Sequence, residues 1–377
     1  MSSSEPNPIE EFQTLLDQLE AITTVQQEIA GSRVIYRPLG NEELIDDSIP
    51  IEEPSLEADN GNTDLSREDF EIPIISDFHL SDSRPIAAVD SSIVRLGETE
   101  HGLVIALRAA LVIDQGDNTR ISLFRTGPIF LHNQRKMQTL YHLGCLLGKP
   151  DLFVKLDSGN QEIPTPIRIK DGAANDAHQY SDRFRNLIER IVQRIAVSSI
   201  QNGTILFDGA LTLRTYDTPQ IYLEQLAQSA SDNGNSIIAI SKQSILQIKG
   251  KPIRFWLNDV PNHACYRWLM PLLGSESAER ILGNLYAIRL SPLGPTFRMD
   301  VKPSAGRSHE EAINCFYSSA LMRGGYPDIL VRAHAHSYFT SPDVVQLQSY
   351  AGARYGLIPQ KEISLTGIFA PFGGRFK

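Results

Sequence analysis

From Pro85 onward the chain changes character in a fixed order, and that order constrains its fold more than any other feature. Ile86-Ala87-Ala88-Val89 is a short apolar run. Residues 103–113 and 120–124 follow as further strand candidates, with the polar turn Asp114-Gln115-Gly116-Asp117-Asn118 between them. Three strands joined by short connections predict an antiparallel meander. Helical patterns come next, over 134–147 and 181–197. Thr204-Ile205-Leu206-Phe207 then reads as a buried strand, 219–231 as a helix and 236–240 as a second buried strand. Strand, helix and strand in succession require a parallel portion of the sheet.

A meander followed by β-α-β units is the ribonuclease-H-like layout. The expected class is therefore α/β, a ribonuclease-H-like mixed sheet flanked by helices. The last third adds strands near 285–290 and 296–301, a helix over 308–323 and a segment over 328–338. Ahead of Pro85 the sequence predicts an N-terminal helical and acidic extension. Ile9, Phe12, Leu15, Leu16, Leu19, Ile22 and Val25 recur at helical spacing across 8–30. Such a helix is either a docking or dimerisation arm or an element packed on its own domain. Residues 41–71 are acidic and rich in Pro, Asn and Ser, which reads as a long loop or linker. The expected division is 1–84, helix and acidic linker, and 85–377, the α/β domain.

A hydrophobic content of 41% with 21% charged residues is that of a soluble globular chain. The net charge of −10 excludes a protein coated in basic charge for non-specific nucleic-acid binding. It leaves room for a local basic path, because much of the acid lies in 41–71. Arg120, Arg125, Arg135, Lys136, Arg183, Arg185, Arg190, Arg194 and Arg214 are candidates for phosphate contacts, which carry no sequence information. The 3 cysteines form no CxxC pair, which excludes a zinc knuckle or disulfide framework and favours buried thiols in a reducing compartment. There is no basic-then-apolar leader. The longest apolar run, 103–113, is broken by Arg108 and is too short for a bilayer. The expectation is a cytoplasmic protein without membrane contact. No P-loop, GxGxxG or nucleophile elbow is present, so any use of ATP would belong to a partner.

Two apolar strands each run into an aspartate and a small residue: Val89-Asp90-Ser91-Ser92 and Phe207-Asp208-Gly209-Ala210. A carboxylate at the C-terminal edge of a buried strand sits where an α/β sheet places its ligands. Two on neighbouring strands can hold Mg²⁺ or Mn²⁺, both of which favour oxygen donors. A metal pair roughly 3.5–4 Å apart would activate water for phosphodiester hydrolysis. The bland alternative makes each Asp a turn former or helix N-cap.

The motifs resemble those of NurA nucleases. Ile86 through Ser92 resembles the family's opening D-G-S strand, with Ser91 in place of the Gly. Ile205 through Leu211 resembles its second signature, an apolar strand ending in D-G-S-L, with Ala210 in place of the Ser. Ile240-Ser241-Lys242 is similar to the family's strand ending in lysine. Gly325-Tyr326-Pro327 with Arg332-Ala333-His334 resembles its C-terminal G-Y-P…A-H element. These elements occur in family order from about residue 85 to 338. The resemblance implies a manganese- or magnesium-dependent DNA nuclease that forms a homodimer. It would degrade DNA ends with a hexameric HerA-type translocase during end resection in DNA repair.

On that resemblance Asp90 and Asp208 are metal ligands, and Glu189 is a third acid, on the helix before the second aspartate strand. Glu189 lies off the centre of that helix's apolar face, so a solvated Glu189 stays open, with Asp182 as the fallback acid. His334 is a metal ligand or a proton shuttle. On a strand His334 and His336 would share a face as in zinc hydrolases, whereas a lone surface His336 is the plainer reading. Tyr326 hydrogen-bonds a phosphate or packs on Pro327. Lys242 meets the scissile phosphate as a point charge. Two other readings stay open: a catalytically weak binding subunit for the translocase, and an RNA-cleaving ribonuclease-H-like enzyme.

Overall fold

The computed structural model describes residues 9–10, 12–14, 16–17, 30–36, 84–132, 177–213 and 220–360, apart from the side chains at 132, 177–180, 183, 220 and 221. The acidic stretch 41–71 and the helix expected over 134–147 lie outside the described residues.

The meander forms as the apolar runs dictate. Strands β2 (Ile86–Thr99), β3 (Gly102–Asp114) and β4 (Thr119–His132) pair antiparallel in sequence order. Helix α1 (Ala177–Ser199) leads to β5 (Thr204–Asp208), and α2 (Gln220–Asp232) to β6 (Ser236–Ser241). Strand β5 pairs parallel with β2 and with β6. The order β4-β3-β2-β5-β6 is the ribonuclease-H-like arrangement. Beyond β6 the sheet continues antiparallel through β9 (Thr296–Lys302), β8 (Asn284–Arg289) and β7 (Cys265–Trp268).

Alternation along β2, β5 and β6 divides the core in two. Ala87, Val89, Ile205, Phe207, Ile237 and Ala239 face α1 and α2. Ile86, Ala88, Leu206, Ile238 and Ile240 face α3 (His309–Ser319) and α4 (Asp328–Ser337). Near-continuous apolar strands are what a sheet covered on both faces requires.

Several elements differ from the sequence reading. Strand β2 does not stop at Val89 but runs through Asp90 to Thr99. The helix expected over 308–323 ends at Ser319, because Met322 and Arg323 pair with Pro327 and Tyr326 in a small hairpin. Residues 328–337 form helix α4, so His334 and His336 stand about 200° apart around its axis. The shared-face H-x-H geometry is thereby removed. A further helix, α5 (Ser341–Tyr355), starts at a Thr340–Asp343 capping box and ends at Gly356 in the left-handed conformation.

Two elements from the N-terminal part join this sheet. Strand β1 (Arg33–Tyr36) pairs antiparallel with the far end of β2 and parallel with β10 (Ile358–Pro359). The described residues within 9–17 are helical, and Phe12 and Leu16 belong to the α1-side core. Phe12 meets Phe124 edge-on at 5.2 Å, and Gln13 bonds the backbone of Arg125 on β4. This stretch packs on its own domain. No helix among the described residues is long and apolar enough to cross a membrane.

Candidate active site

Strand β2 outruns β5. Their parallel ladder ends at Val89 opposite Phe207, yet β2 continues while β5 finishes at Asp208. Gly209 carries the chain away at φ 124, a backbone state L side chains rarely adopt. The result is a notch in the sheet. Asp90 and Asp208 are the next residues after one registered pair, so they occupy adjacent positions on strands ~4.8 Å apart. Their alternation with Val89 and Phe207 puts both on the face covered by α3 and α4.

Helix α4 approaches Asp90 from that face. His334 Nδ1 lies 2.9 Å from Asp90 Oδ2, and Ser337 Oγ donates to the same oxygen at 2.8 Å. Burial pushes the Asp90 pKa up, but the His334 hydrogen bond and charge, the Ser337 bond and the Arg185 charge outweigh it and hold it below the ordinary range. Both bonds use Oδ2 and leave Oδ1 outside them.

Asp208 is held differently. Lys242 Nζ lies 2.7 Å from its Oδ2, and the Tyr326 hydroxyl donates to Oδ1 at 3.3 Å. Burial raises the Asp208 pKa beyond what Lys242 offsets, and the Asp90 charge pushes the same way. Lys242 also lies 5.0 Å from the centre of the Tyr326 ring, whose edge contact with Phe297 fixes it from behind. Burial and the neighbouring carboxylates drive the Tyr326 hydroxyl pKa upward, so it is a donor at any working pH.

Glu189 comes from the other face. Ser91 points opposite to Asp90, and its Oγ donates to Glu189 Oε2 at 2.6 Å. Gln193 Nε2 donates to Glu189 Oε1 at 3.2 Å, and Gln193 Oε1 accepts from Arg190 Nη1 at 2.7 Å. Glu189 is only 8% exposed, so it is not a solvated helix residue. Burial raises its pKa; Arg185, Arg190 and Ser91 oppose the rise, and Asp90 adds to it. Asp182 is bound bidentately by Arg95 at 2.8 and 2.9 Å, 21% exposed. That grip ties α1 to β2 and makes Asp182 structural.

The structure thus gathers Asp90, Asp208, Lys242, Tyr326 and His334 on one face of the notch, with Glu189 reaching it through Ser91. His336 lies off this group. Of the arginines read as a basic path, Arg120, Arg125 and Arg194 are exposed, whereas Arg190 is buried and spent on Gln193. Sequence reasoning missed Ser337, Gln193 and the buried pair Arg298–Asp300. Arg298 grips Asp300 at 2.8 and 2.9 Å, and Asp300 accepts the Leu211 backbone N–H at 2.8 Å. This anchors the segment just past Asp208. Two residues of opposite charge at i, i+2 in an otherwise apolar strand were the available signal.

No family model matches the chain, and no curated protein does. Among solved structures, the NurA nuclease from Sulfolobus solfataricus is similar at 15% identity and a TM-score of 0.47, covering 76% of this chain and 86% of that one. Endonuclease V from Bacillus subtilis gives 12% identity and a TM-score of 0.34, with 75% and 88% covered. The A. aeolicus Argonaute gives 9% identity and a TM-score of 0.24, with 71% and 27% covered. These are distant likenesses, so the chemistry must be read from the chain's own residues.

Proposed function

We propose that the chain is a divalent-metal-dependent DNA nuclease of the NurA type. One observation carries this reading: Asp90 and Asp208 stand side by side on one face of the notch, with a lysine, a tyrosine and a histidine set on them. Two buried, mutually repelling carboxylates fit a hard cation. Among the described residues no three His, Cys, Asp or Glu side chains gather into a metal cluster. Mg²⁺ and its like are commonly held by one or two carboxylates plus water and substrate phosphates, so two suffice. Asp90 and Asp208 would hold Mn²⁺ or Mg²⁺, which when bound supplies water activation and stabilises developing charge.

The chain's own groups do the rest. Lys242 presents a compact positive charge to a phosphate beside Asp208. The Tyr326 hydroxyl donates its one proton to the same carboxylate and would turn it to a phosphate oxygen instead when substrate is bound. In its neutral form, with the proton on Nδ1 turned to the ionised Asp90, His334 would act as base toward water through Nε2. The backbone-directed contacts this set makes possible suit a nuclease that does not read sequence. The sequence motifs extend the reading to DNA ends, a homodimer and a HerA-type hexameric partner in end resection.

The test is one variant measured twice. Asp208→Asn keeps the shape and removes the charge. Digestion of linear DNA with Mn²⁺ should fall by orders of magnitude while thermal melting shows a folded chain. Full activity in this variant would overturn the assignment of Asp208 to the metal site. A wild-type chain inactive with Mn²⁺ and Mg²⁺ would favour a binding subunit instead.

A further inference from the structure

Helix α1 carries a polar stripe inside its buried surface. Ser181, Arg185, Glu189 and Gln193 recur every four residues and so lie along one line of the helix. That line faces β2: Arg95 Nε donates to Ser181 at 3.0 Å, and Ser91 donates to Glu189 at 2.6 Å. Ser181 and Gln193 are 0% exposed, whereas Arg185 keeps partial contact with solvent. Each of the others has its polar atoms matched to a partner along the seam. Arg185 does not.

Arg185 sits one turn before Glu189, within electrostatic reach of both Glu189 and Asp90, whose pKa values its charge lowers. It bonds neither carboxylate. Its recorded hydrogen bond runs from Nη2 to the Asn186 side chain at 2.9 Å. Its Nε is buried with no acceptor at all. A guanidinium has five donors in a planar fork, and a buried donor without a partner calls for an explanation. A half-buried cation that bears on two acids, with a buried donor left without an acceptor, is arranged for an anion that arrives at the rim.

We propose that Arg185 grips a non-bridging oxygen of a substrate phosphate at the rim of the notch, beside Asp90. A phosphodiester is the anion whose geometry matches the fork, and a nucleic-acid strand is what brings one to a pair of acids. The inference rests on the nuclease reading for the identity of the strand. Arg185 would enter from the α1 face and Lys242 from the α4 face, so the phosphate is held from both sides of the sheet.

The experiment uses the full chain with Arg185→Gln and Arg185→Lys. Binding of a fluorescent single-stranded oligonucleotide is measured in EDTA across a salt series, and digestion of linear DNA with Mn²⁺ is measured in parallel with thermal melting. Losing one phosphate contact should lower the slope of log affinity against log salt by about 0.7 for a single strand. In Arg185→Gln, KM should rise about tenfold. Arg185→Lys keeps the charge and loses the fork, so it should restore the salt slope but not the KM. Should Arg185→Gln fail to fold, the KM of Arg185→Lys decides alone, and a wild-type value there overturns the proposal. Unchanged slope and KM with only the melting temperature moved would also overturn it and make Arg185 an internal counter-charge, leaving the nuclease reading intact. A wild-type chain that binds but never digests would end the nuclease reading, while the salt slope still decides whether Arg185 touches phosphate.

Discussion

Ser91 donates its hydroxyl to Glu189 at 2.6 Å, while Asp90, one residue earlier, accepts from Ser337 at 2.8 Å on the opposite face of the same strand. The pleat of β2 therefore turns Asp90 to one side of the sheet and, through Ser91, holds Glu189 on the other. Helix α4 closes over Asp90 and helix α1 supplies Glu189, and each buried carboxylate has its own set of donors.

The donors around Glu189 should be worth a measurable part of the stability. Ser91→Ala leaves Oε2 of a buried carboxylate without its closest partner and should cost about 1–3 kcal/mol. Gln193→Leu should cost more, because it strips both Glu189 and Arg190 at once. Urea denaturation of the two variants checks this, and values within error of wild type would mean that water replaces both donors.

The two aspartates should move stability in opposite directions. Asp90 has a lowered pKa in the folded chain, so its charge stabilises the fold above the ordinary carboxylate range, and that gain is lost as pH falls through its folded value. Asp90→Asn should then melt below wild type at neutral pH, with the gap closing in acid. Asp208 has a raised pKa, so its charge works against folding above its folded value. Asp208→Asn should melt above wild type at neutral pH, with the advantage vanishing as pH falls to the ordinary range. Melting curves across pH decide it, and shifts of the same sign would contradict the arrangement.

Arg298 and Asp300 are both 0% exposed at the side chain. Removing Asp300 alone leaves a buried guanidinium and should cost about 3–5 kcal/mol. Replacing both, as Arg298→Met with Asp300→Leu, should recover most of that, since apolar substitutes often match a buried pair. The double variant still lacks the acceptor for Leu211 N–H and the bond from Arg298 to the Thr212 hydroxyl. DNA digestion should therefore stay at least about tenfold down in a chain of near-normal melting temperature. Wild-type activity in that chain would show that the segment after Asp208 holds its place unaided.

Phe12→Ala tests the N-terminal stretch. A core phenylalanine lost to alanine costs about 3–5 kcal/mol, whereas a free arm would show almost nothing. Chemical denaturation gives the answer directly.

Much of the central sheet was legible in the sequence because its strands are buried on both faces and read as unbroken apolar runs. Asp208 was placed at its strand end for the same reason. Asp90 was found but misplaced, because β2 turns half-polar after Val89 and from Asp90 to Leu96 pairs with β3 alone. The burial of Glu189 stayed open because a helical wheel scores apolarity, and a polar seam sealed by Ser91 and Gln193 counts against burial. Strand β1 and helix α5 were not read at all. The former is four residues long, and the latter opens with Ser341-Pro342-Asp343, turn-like residues that a capping box turns into a helix start.

The single pleat separating Asp90 from Ser91 makes the notch sensitive to chain length. Deleting any one residue between Pro85 and Val89, with the start of β2 held in register against β5, would turn the strand over from that point on. Ser91 would then face His334, and the preceding aspartate's neighbours would exchange sides with it. Substitutions along 86–89 that preserve apolar volume leave this phase alone, whereas a lost codon there would switch off both acids together without changing a single one of the residues that hold them.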